Sequence, residues 1–216
     1  MQPLFPPWSD TVLRLGLSVL VASAVAVPVA TILWARTPYA TKEGLEVQQP
    51  VAFDHRHHVR DDGINCLYCH SEASRTKVAG IPPTSVCMGC HGQVWQESTR
   101  LAPVRASWLN GQPLRWRRVH QLPDFVYFDH SAHVSHGVGC VECHGRVDQM
   151  AVVHAVAPLT MQWCLDCHRD PDPHLRPPDE ITSMDYEPPE PRRAQGAALR
   201  SRLRVDPPVS CTGCHR

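Results

Sequence analysis

Every cysteine in this chain belongs to one short pattern, and that pattern constrains the fold more than any other feature. The ten cysteines fall in five copies of Cys-x-x-Cys-His: Cys66-Cys69-His70, Cys87-Cys90-His91, Cys140-Cys143-His144, Cys164-Cys167-His168 and Cys211-Cys214-His215. Cys-x-x-Cys-His is the attachment signature of c-type haem. Two thiols three residues apart reach one porphyrin edge as thioethers, and the next residue brings an imidazole to the iron. A disulfide framework has no use for a histidine after each second cysteine. A zinc protein would join Cys-x-x-Cys units in pairs, and five units pair badly. The pattern therefore predicts five covalently bound c-type haems. Cys66, Cys69, Cys87, Cys90, Cys140, Cys143, Cys164, Cys167, Cys211 and Cys214 are the attachment residues, and His70, His91, His144, His168 and His215 the proximal ligands.

Composition agrees. Phe, Tyr and Trp supply only 6% of 216 residues, while proline supplies 21. A haem is a large, flat, mostly apolar body, so a chain wrapped around several needs few large side chains in its interior. The expected fold is a multihaem cytochrome c, with little regular secondary structure and short helices around stacked haems, plus one N-terminal transmembrane helix. Lys plus Arg and Asp plus Glu balance at 21 each, which argues against a nucleic-acid surface.

Residues 15–35 carry no charge and lie between Arg14 and Arg36. At about 1.5 Å per residue they are just long enough to cross a hydrocarbon core of roughly 30 Å. Trp8 and Trp34 suit the two interfaces. A cleaved leader is the alternative, but the apolar stretch exceeds the usual h-region of about 7–15 residues and the first ten residues lack a positive charge. The reading taken is a retained single-pass anchor. Arg36 and Lys42 beyond the span and Arg14 before it give a weak charge bias toward the opposite orientation. Haem attachment outside the cytoplasm overrides it, placing the haem region on the periplasmic side of a bacterial inner (cytoplasmic) membrane.

An internal repeat organises the haem region. Phe53-Asp54-His55-x-x-His58 precedes Cys66, and Phe128-Asp129-His130-x-x-His133 precedes Cys140, an offset of 75 residues for the leading motif. The expected boundaries are a short cytoplasmic N-terminus at 1–14, the anchor at 15–35, a linker at 36–52, a two-haem module at 53–91 and an inter-module segment at 92–127. A second two-haem module follows at 128–168, then a proline-rich strap at 169–193 and a fifth-haem segment at 194–216, with one short helix over 194–204. Residues three apart on a turn project from one side, so His55 with His58, and His130 with His133, are the expected distal ligands of four irons. For the fifth distal position His120 ranks first, with His154, His174, Met150, Met161 and Met184 as alternatives. His57 and His136 break the repeat and are read as surface residues. No nucleotide loop, hydrolase triad or paired-carboxylate site is recognisable, and no catalytic residue is assigned. The expected role is electron relay rather than catalysis by this chain alone.

Longer strings carry a resemblance. Ile81-Pro82-Pro83 precedes Cys87-Met88-Gly89-Cys90-His91; the segment Trp116-Arg117-Arg118-Val119-His120-Gln121-Leu122-Pro123 leads through Asp124-Phe125-Val126-Tyr127 to Phe128; and Met161-Gln162-Trp163-Cys164 and Leu175-Arg176-Pro177 follow. With the repeated Phe-Asp-His-x-x-His units, the chain resembles the pentahaem cytochrome c subunit of bacterial alternative complex III, a quinol:electron-acceptor oxidoreductase. The haem modules alone resemble class III and other small multihaem cytochromes c. The resemblance implies electron transfer from a quinol-oxidising membrane subunit to a periplasmic cytochrome or terminal oxidase. Its implied partners are a polysulfide-reductase-like membrane subunit, an iron-sulfur/molybdopterin-like subunit and a monohaem cytochrome c. The rival reading is a membrane-anchored multihaem quinol dehydrogenase. That group characteristically has a methionine just after its first Cys-x-x-Cys-His, where this chain has Ser71-Glu72-Ala73.

Overall fold

The computed structural model describes residues 5–215; the first four residues of the expected N-terminal segment 1–14, and Arg216, lie outside the described residues. The chain divides into two units, residues 1–42 and 43–216.

The first unit is dominated by α1, Trp8–Ala35, whose 28 residues form one helix through Pro28. It begins seven residues before the uncharged stretch because Pro7 ends the preceding chain and Asp10 and Arg14, four apart, pair at 2.9 Å on the first turns. No residue of α1 is buried. Its length and apolar composition suffice to cross a membrane. A short helix α2, Pro38–Thr41, follows.

The second unit is built of one- to three-turn helices joined by irregular chain. They are α3 Cys66–Cys69, α4 Thr84–His91, α5 Ala102–Asn110, α6 His130–Ser135, α7 Cys140–His144, α8 Met161–Arg169, α9 Arg192–Leu203 and α10 Cys211–Cys214. A π-helical turn, Arg56–Asp61, precedes α3. Among the described residues, strand pairing is limited to isolated bridges, Glu43 with Ala155, Val126 with His215 and Val138 with Leu175. The buried apolar residues are mostly small or scattered, such as Val51, Ala73, Val104, Val134, Ala155 and Ala157, and among the described residues no large side chain is fully enclosed. Side-chain packing alone therefore contributes little core for a unit of this size.

Residues 169–191 run as two 3₁₀ turns, Asp172–His174 and Pro178–Glu180, joined by irregular proline-rich chain. One residue organises this segment. Arg176 is 3% exposed. Its guanidinium donates to Glu142 Oε1 at 2.9 Å and to the Ser183 carbonyl at 3.0 Å, and lies over the Tyr186 ring at 5.4 Å. His174 Nδ1 reaches the other Glu142 oxygen at 2.8 Å. The segment is thus pinned onto α7 through Glu142, one of the two residues between the cysteines of the third motif. Gly139 leaves room for this, since a Cβ there would fall within 2.6 Å of three Arg176 side-chain atoms. The helix expected over 194–204 is α9. Gly196 lets it sit directly on the Asp172 carbonyl, 1.8 Å from where a Cβ would be, and Arg193 grips Asp170 with two hydrogen bonds of 2.5 and 2.8 Å.

Candidate functional site

Each Cys-x-x-Cys-His motif lies on a helical turn, which fixes the relation of its three reactive groups. Residues i, i+3 and i+4 share one face of a turn, so both sulfurs and the imidazole lie on one side. The turn closes by a bond from the histidine backbone N–H to the first cysteine carbonyl at 2.8 Å for His70 and 2.9 Å for His215. Asn65 caps α3 by accepting from the Leu67 N–H at 2.9 Å, and Thr160 caps α8 through the Trp163 N–H. None of the ten cysteines is paired in a disulfide. Among the described residues no three His, Cys, Asp or Glu side chains converge as a bare metal ion needs. The donor set instead suits a cofactor that brings four ligands of its own.

The Phe-Asp-His-x-x-His units build the same small device twice. Phe53 stacks on His58 (ring centres 4.4 Å apart, 22° between planes) and meets His55 edge-on at 4.7 Å. Phe128 stacks on His133 (4.5 Å, 29°) and meets His130 edge-on at 5.9 Å. The backbone carbonyl of Asp54 accepts from His58 Nδ1 at 3.0 Å, and that of Asp129 from His133 Nδ1 at 2.7 Å. The aspartate side chains start the turns: Asp129 accepts from the Ala132 N–H, and Asp54 from the Arg56 N–H. Phenylalanine orients, aspartate caps, and two imidazoles leave one turn in different directions.

Those imidazoles meet the histidines of the attachment motifs. Two imidazoles bound trans to one metal through nitrogens at about 2 Å have ring centres about 6 Å apart. The observed separations are 6.0 Å for His58 and His91, 6.0 Å for His133 and His168, and 6.3 Å for His130 and His144. Three of the four repeat histidines, His58, His133 and His130, are thereby each brought to a different attachment histidine.

Most of these rings are held at Nδ1. His70 donates to the Gly80 carbonyl at 3.2 Å, His91 to Val94 at 3.1 Å, His130 to Ala73 at 2.8 Å, His168 to Pro208 at 2.7 Å and His215 to Phe125 at 3.2 Å. A carbonyl only accepts, so Nδ1 carries the hydrogen and Nε2 keeps the lone pair that ligation needs. Among the described residues, two buried nitrogens, His55 Nδ1 and His120 Nε2, have no hydrogen-bond partner, a costly state for a polar atom that binds nothing. Burial, then the charges of His70 and His58, bring His55 down to about 4. Burial first, with His120 and His130 next, brings His144 down to about 3. His120 and His133 are lowered too, mainly by burial. All four are therefore neutral at pH 7, as metal ligands must be. Burial pushes the thiols of Cys143 and Cys167 up to about 12 and about 11. Cys66 and Cys140 share a hydrogen bond that lowers the first and raises the second.

The remaining candidates are spread out. His120 sits against His144, with ring centres 4.4 Å apart, so two histidines approach that one. The ring beside His215 is Phe125, at 5.7 Å. His174 is engaged with Glu142, and His154 Nδ1 lies 3.4 Å from the Val152 carbonyl. Met161 is exposed and Met184 is buried in the small core, while Met150 is half-buried. His57 is exposed and stacks on Trp95. His136 is exposed and bonds back to the Ala132 carbonyl at 2.6 Å. Sequence reasoning missed the Glu142–Arg176–His174 cluster; its one local sign was an acidic residue inside the third motif.

Residues 126–216 match the sequence model of the family described as cytochrome c7 and related cytochrome c. The fold is that of a multihaem cytochrome c. The chain is also 36% identical, over 98 residues, to the multihaem cytochrome c subunit of menaquinone reductase from Nitratidesulfovibrio vulgaris (strain Hildenborough). The matched stretch is 45% of this chain and 46% of that relative, so the chain spans about half the length of the curated relative it matches. A cytochrome c domain implies haem held covalently through paired cysteines, and the residues described above fit that group: paired sulfurs beside an imidazole, opposed by a second imidazole at the separation an iron requires. The helix Trp8–Ala35 is a candidate membrane anchor.

Proposed function

We propose that this cytochrome is a pentahaem relay, anchored by Trp8–Ala35 with residues 36–216 outside the cytoplasm, that carries electrons between a quinone-reactive membrane subunit and an external redox partner. The observation that supports the reading is the three opposed histidine pairs, His58 with His91, His130 with His144 and His133 with His168, each spaced so that two imidazoles could hold one iron from both sides. Each haem, when bound, supplies a one-electron iron centre. The chain supplies the rest. Its cysteines tether, its histidines ligate, and Phe53, Phe128 and the backbone carbonyls fix the imidazoles so that little needs to move when charge passes.

In the direction taken from the resemblance to alternative complex III, a polysulfide-reductase-like subunit oxidises quinol. This chain then passes the electrons outward to a monohaem cytochrome, a soluble carrier or a terminal oxidase. The name of the Nitratidesulfovibrio relative favours a second reading, in which electrons run the other way, into menaquinone. One experiment separates them. The intact membrane complex is mixed anaerobically with a quinol analogue, or with a reduced monohaem cytochrome c, and haem reduction is followed in the visible α-band. Reduction by quinol at turnover rate with no net quinone reduction supports outward flow. Steady quinone reduction driven by the cytochrome supports inward flow. Haems that respond to neither overturn the relay. An isolated chain that oxidised quinol by itself would point to the quinol-dehydrogenase alternative.

A further inference from the structure

The five motifs occur in one order along the sequence and in another in space. In the first module, the His58 ring lies 6.0 Å from that of His91, and Tyr68, between the cysteines of the first motif, brings its hydroxyl to 4.0 Å from where a Cβ on Gly89 of the second would lie. The first and second sites are therefore neighbours. In the second module, His130 and His133 leave one turn toward His144 and His168, with ring centres 6.3 and 6.0 Å apart. The third and fourth are neighbours too.

The join between modules is decided by backbone contacts. His130 Nδ1 donates to the carbonyl of Ala73, just after the first motif, at 2.8 Å. The His130 and Ser131 N–H groups donate to Lys77 and Thr76 at 3.2 and 3.1 Å. Cys66 and Cys140 meet adjacent residues of the proline-rich segment: the Cys66 thiol reaches the Thr182 carbonyl at 3.8 Å, and the Cys140 N–H reaches the Ile181 carbonyl at 3.0 Å. The first site thus abuts the third, although the second stands between them in sequence.

The last site attaches to the fourth. His168 Nδ1 donates to the carbonyl of Pro208, three residues before Cys211, at 2.7 Å. The Tyr127 N–H donates to the Cys214 carbonyl at 2.8 Å, immediately before Phe128, the ring stacked on His133.

We propose that the attachment sites form one unbranched line in the order second, first, third, fourth, fifth, with the Cys87–Cys90 and Cys211–Cys214 sites at its two ends. This rests on the five-haem reading above. The two exposed cysteines of the ten are Cys90 and Cys211, one at each end, so the line begins and finishes where other proteins can approach. The first site, despite opening the sequence, is an interior link between the modules.

Iron positions in a map of the haem-loaded full chain, each assigned by the motif that tethers it, test the order directly. The expected result is that irons of the first, third and fourth motifs each have two near neighbours, and those of the second and fifth have one. Five irons with any other adjacency overturn the line while leaving the five-haem reading intact; fewer than five overturn both. A solution test uses two variants, each confirmed by mass to retain the other four haems. In Cys211→Ser/Cys214→Ser, loss of an end should alter the low-temperature EPR signal of one remaining haem. In Cys140→Ser/Cys143→Ser, loss of an interior link should alter two. Equal numbers in the two variants refute the line.

Discussion

Arg176 is the residue whose removal has the most readable consequence. In Arg176→Ala the guanidinium's bonds to Glu142 and the Ser183 carbonyl are lost, together with its contact over Tyr186. Breaking a buried ion pair by deleting one partner costs about 3–5 kcal/mol, because the other charge stays buried. Glu142 is 19% exposed and keeps His174 at 2.8 Å, so the lower end, about 3 kcal/mol, applies here. The loss falls on the proline-rich segment, which Arg176 pins to α7, so the assay is limited proteolysis between residues 177 and 191 of the haem-loaded chain. When reclosing outruns cleavage, the rate follows the population of the open form. At about 1.4 kcal/mol per decade the cut should come roughly a hundredfold faster than in the native chain. Adding Glu142→Gln to Arg176→Met should recover most of the protection, since the isolated buried charge is gone. A rate for Arg176→Ala within about threefold of native, under roughly 0.7 kcal/mol, would refute the pinning.

The same protection should depend on pH. Burial raises the Glu142 carboxyl, but His174 and Arg176 outweigh it and hold the group below its ordinary 4.5. The pinned form then binds fewer protons than the open one, so protection is complete above about pH 4.5 and falls as pH drops through the lowered value; proteolysis with an acid protease should show this slope, and Glu142→Gln should flatten it. Alanine at His58 or His133 should each remove one low-spin EPR signal, whereas alanine at His57 or His136, both exposed, should leave the spectrum unchanged. Gly196→Ala gains about 1 kcal/mol of helix propensity but drives a methyl to 1.8 Å from the Asp172 carbonyl. The clash should win, with a net loss of about 1–3 kcal/mol in thermal unfolding.

Local chemistry was legible in the sequence because covalent attachment demands fixed spacing, and spacing survives in a string of letters. The repeated Phe-Asp-His-x-x-His was legible for the same reason, although the stacking of Phe53 and Phe128 on the second histidine of each unit needed coordinates. The two units also differ where their sequences look alike, one turn being π-helical and the other α-helical. Long-range placement left little trace. Nothing in the spacing sets His120 against His144 rather than elsewhere, and nothing in the proline-rich run announces that Arg176 lies at its centre. The close approach of α9 to Asp172 hangs on one glycine among twelve. In a chain with so few large apolar residues the usual periodic signals are weak, and contacts between distant loops settle the architecture.

The carbonyl bonds at His58, His70, His91, His130, His133, His168 and His215 have a last consequence. A hydrogen committed to a backbone carbonyl gains nothing by leaving it, so an iron held at the opposite ring nitrogen could gain or lose an electron while the ligand keeps its proton. Current through such a chain would be carried by electrons alone. The protons released or consumed when a quinone reacts would then have to be handled where the quinone binds, and the reduction potentials along the relay should stay nearly flat across neutral pH.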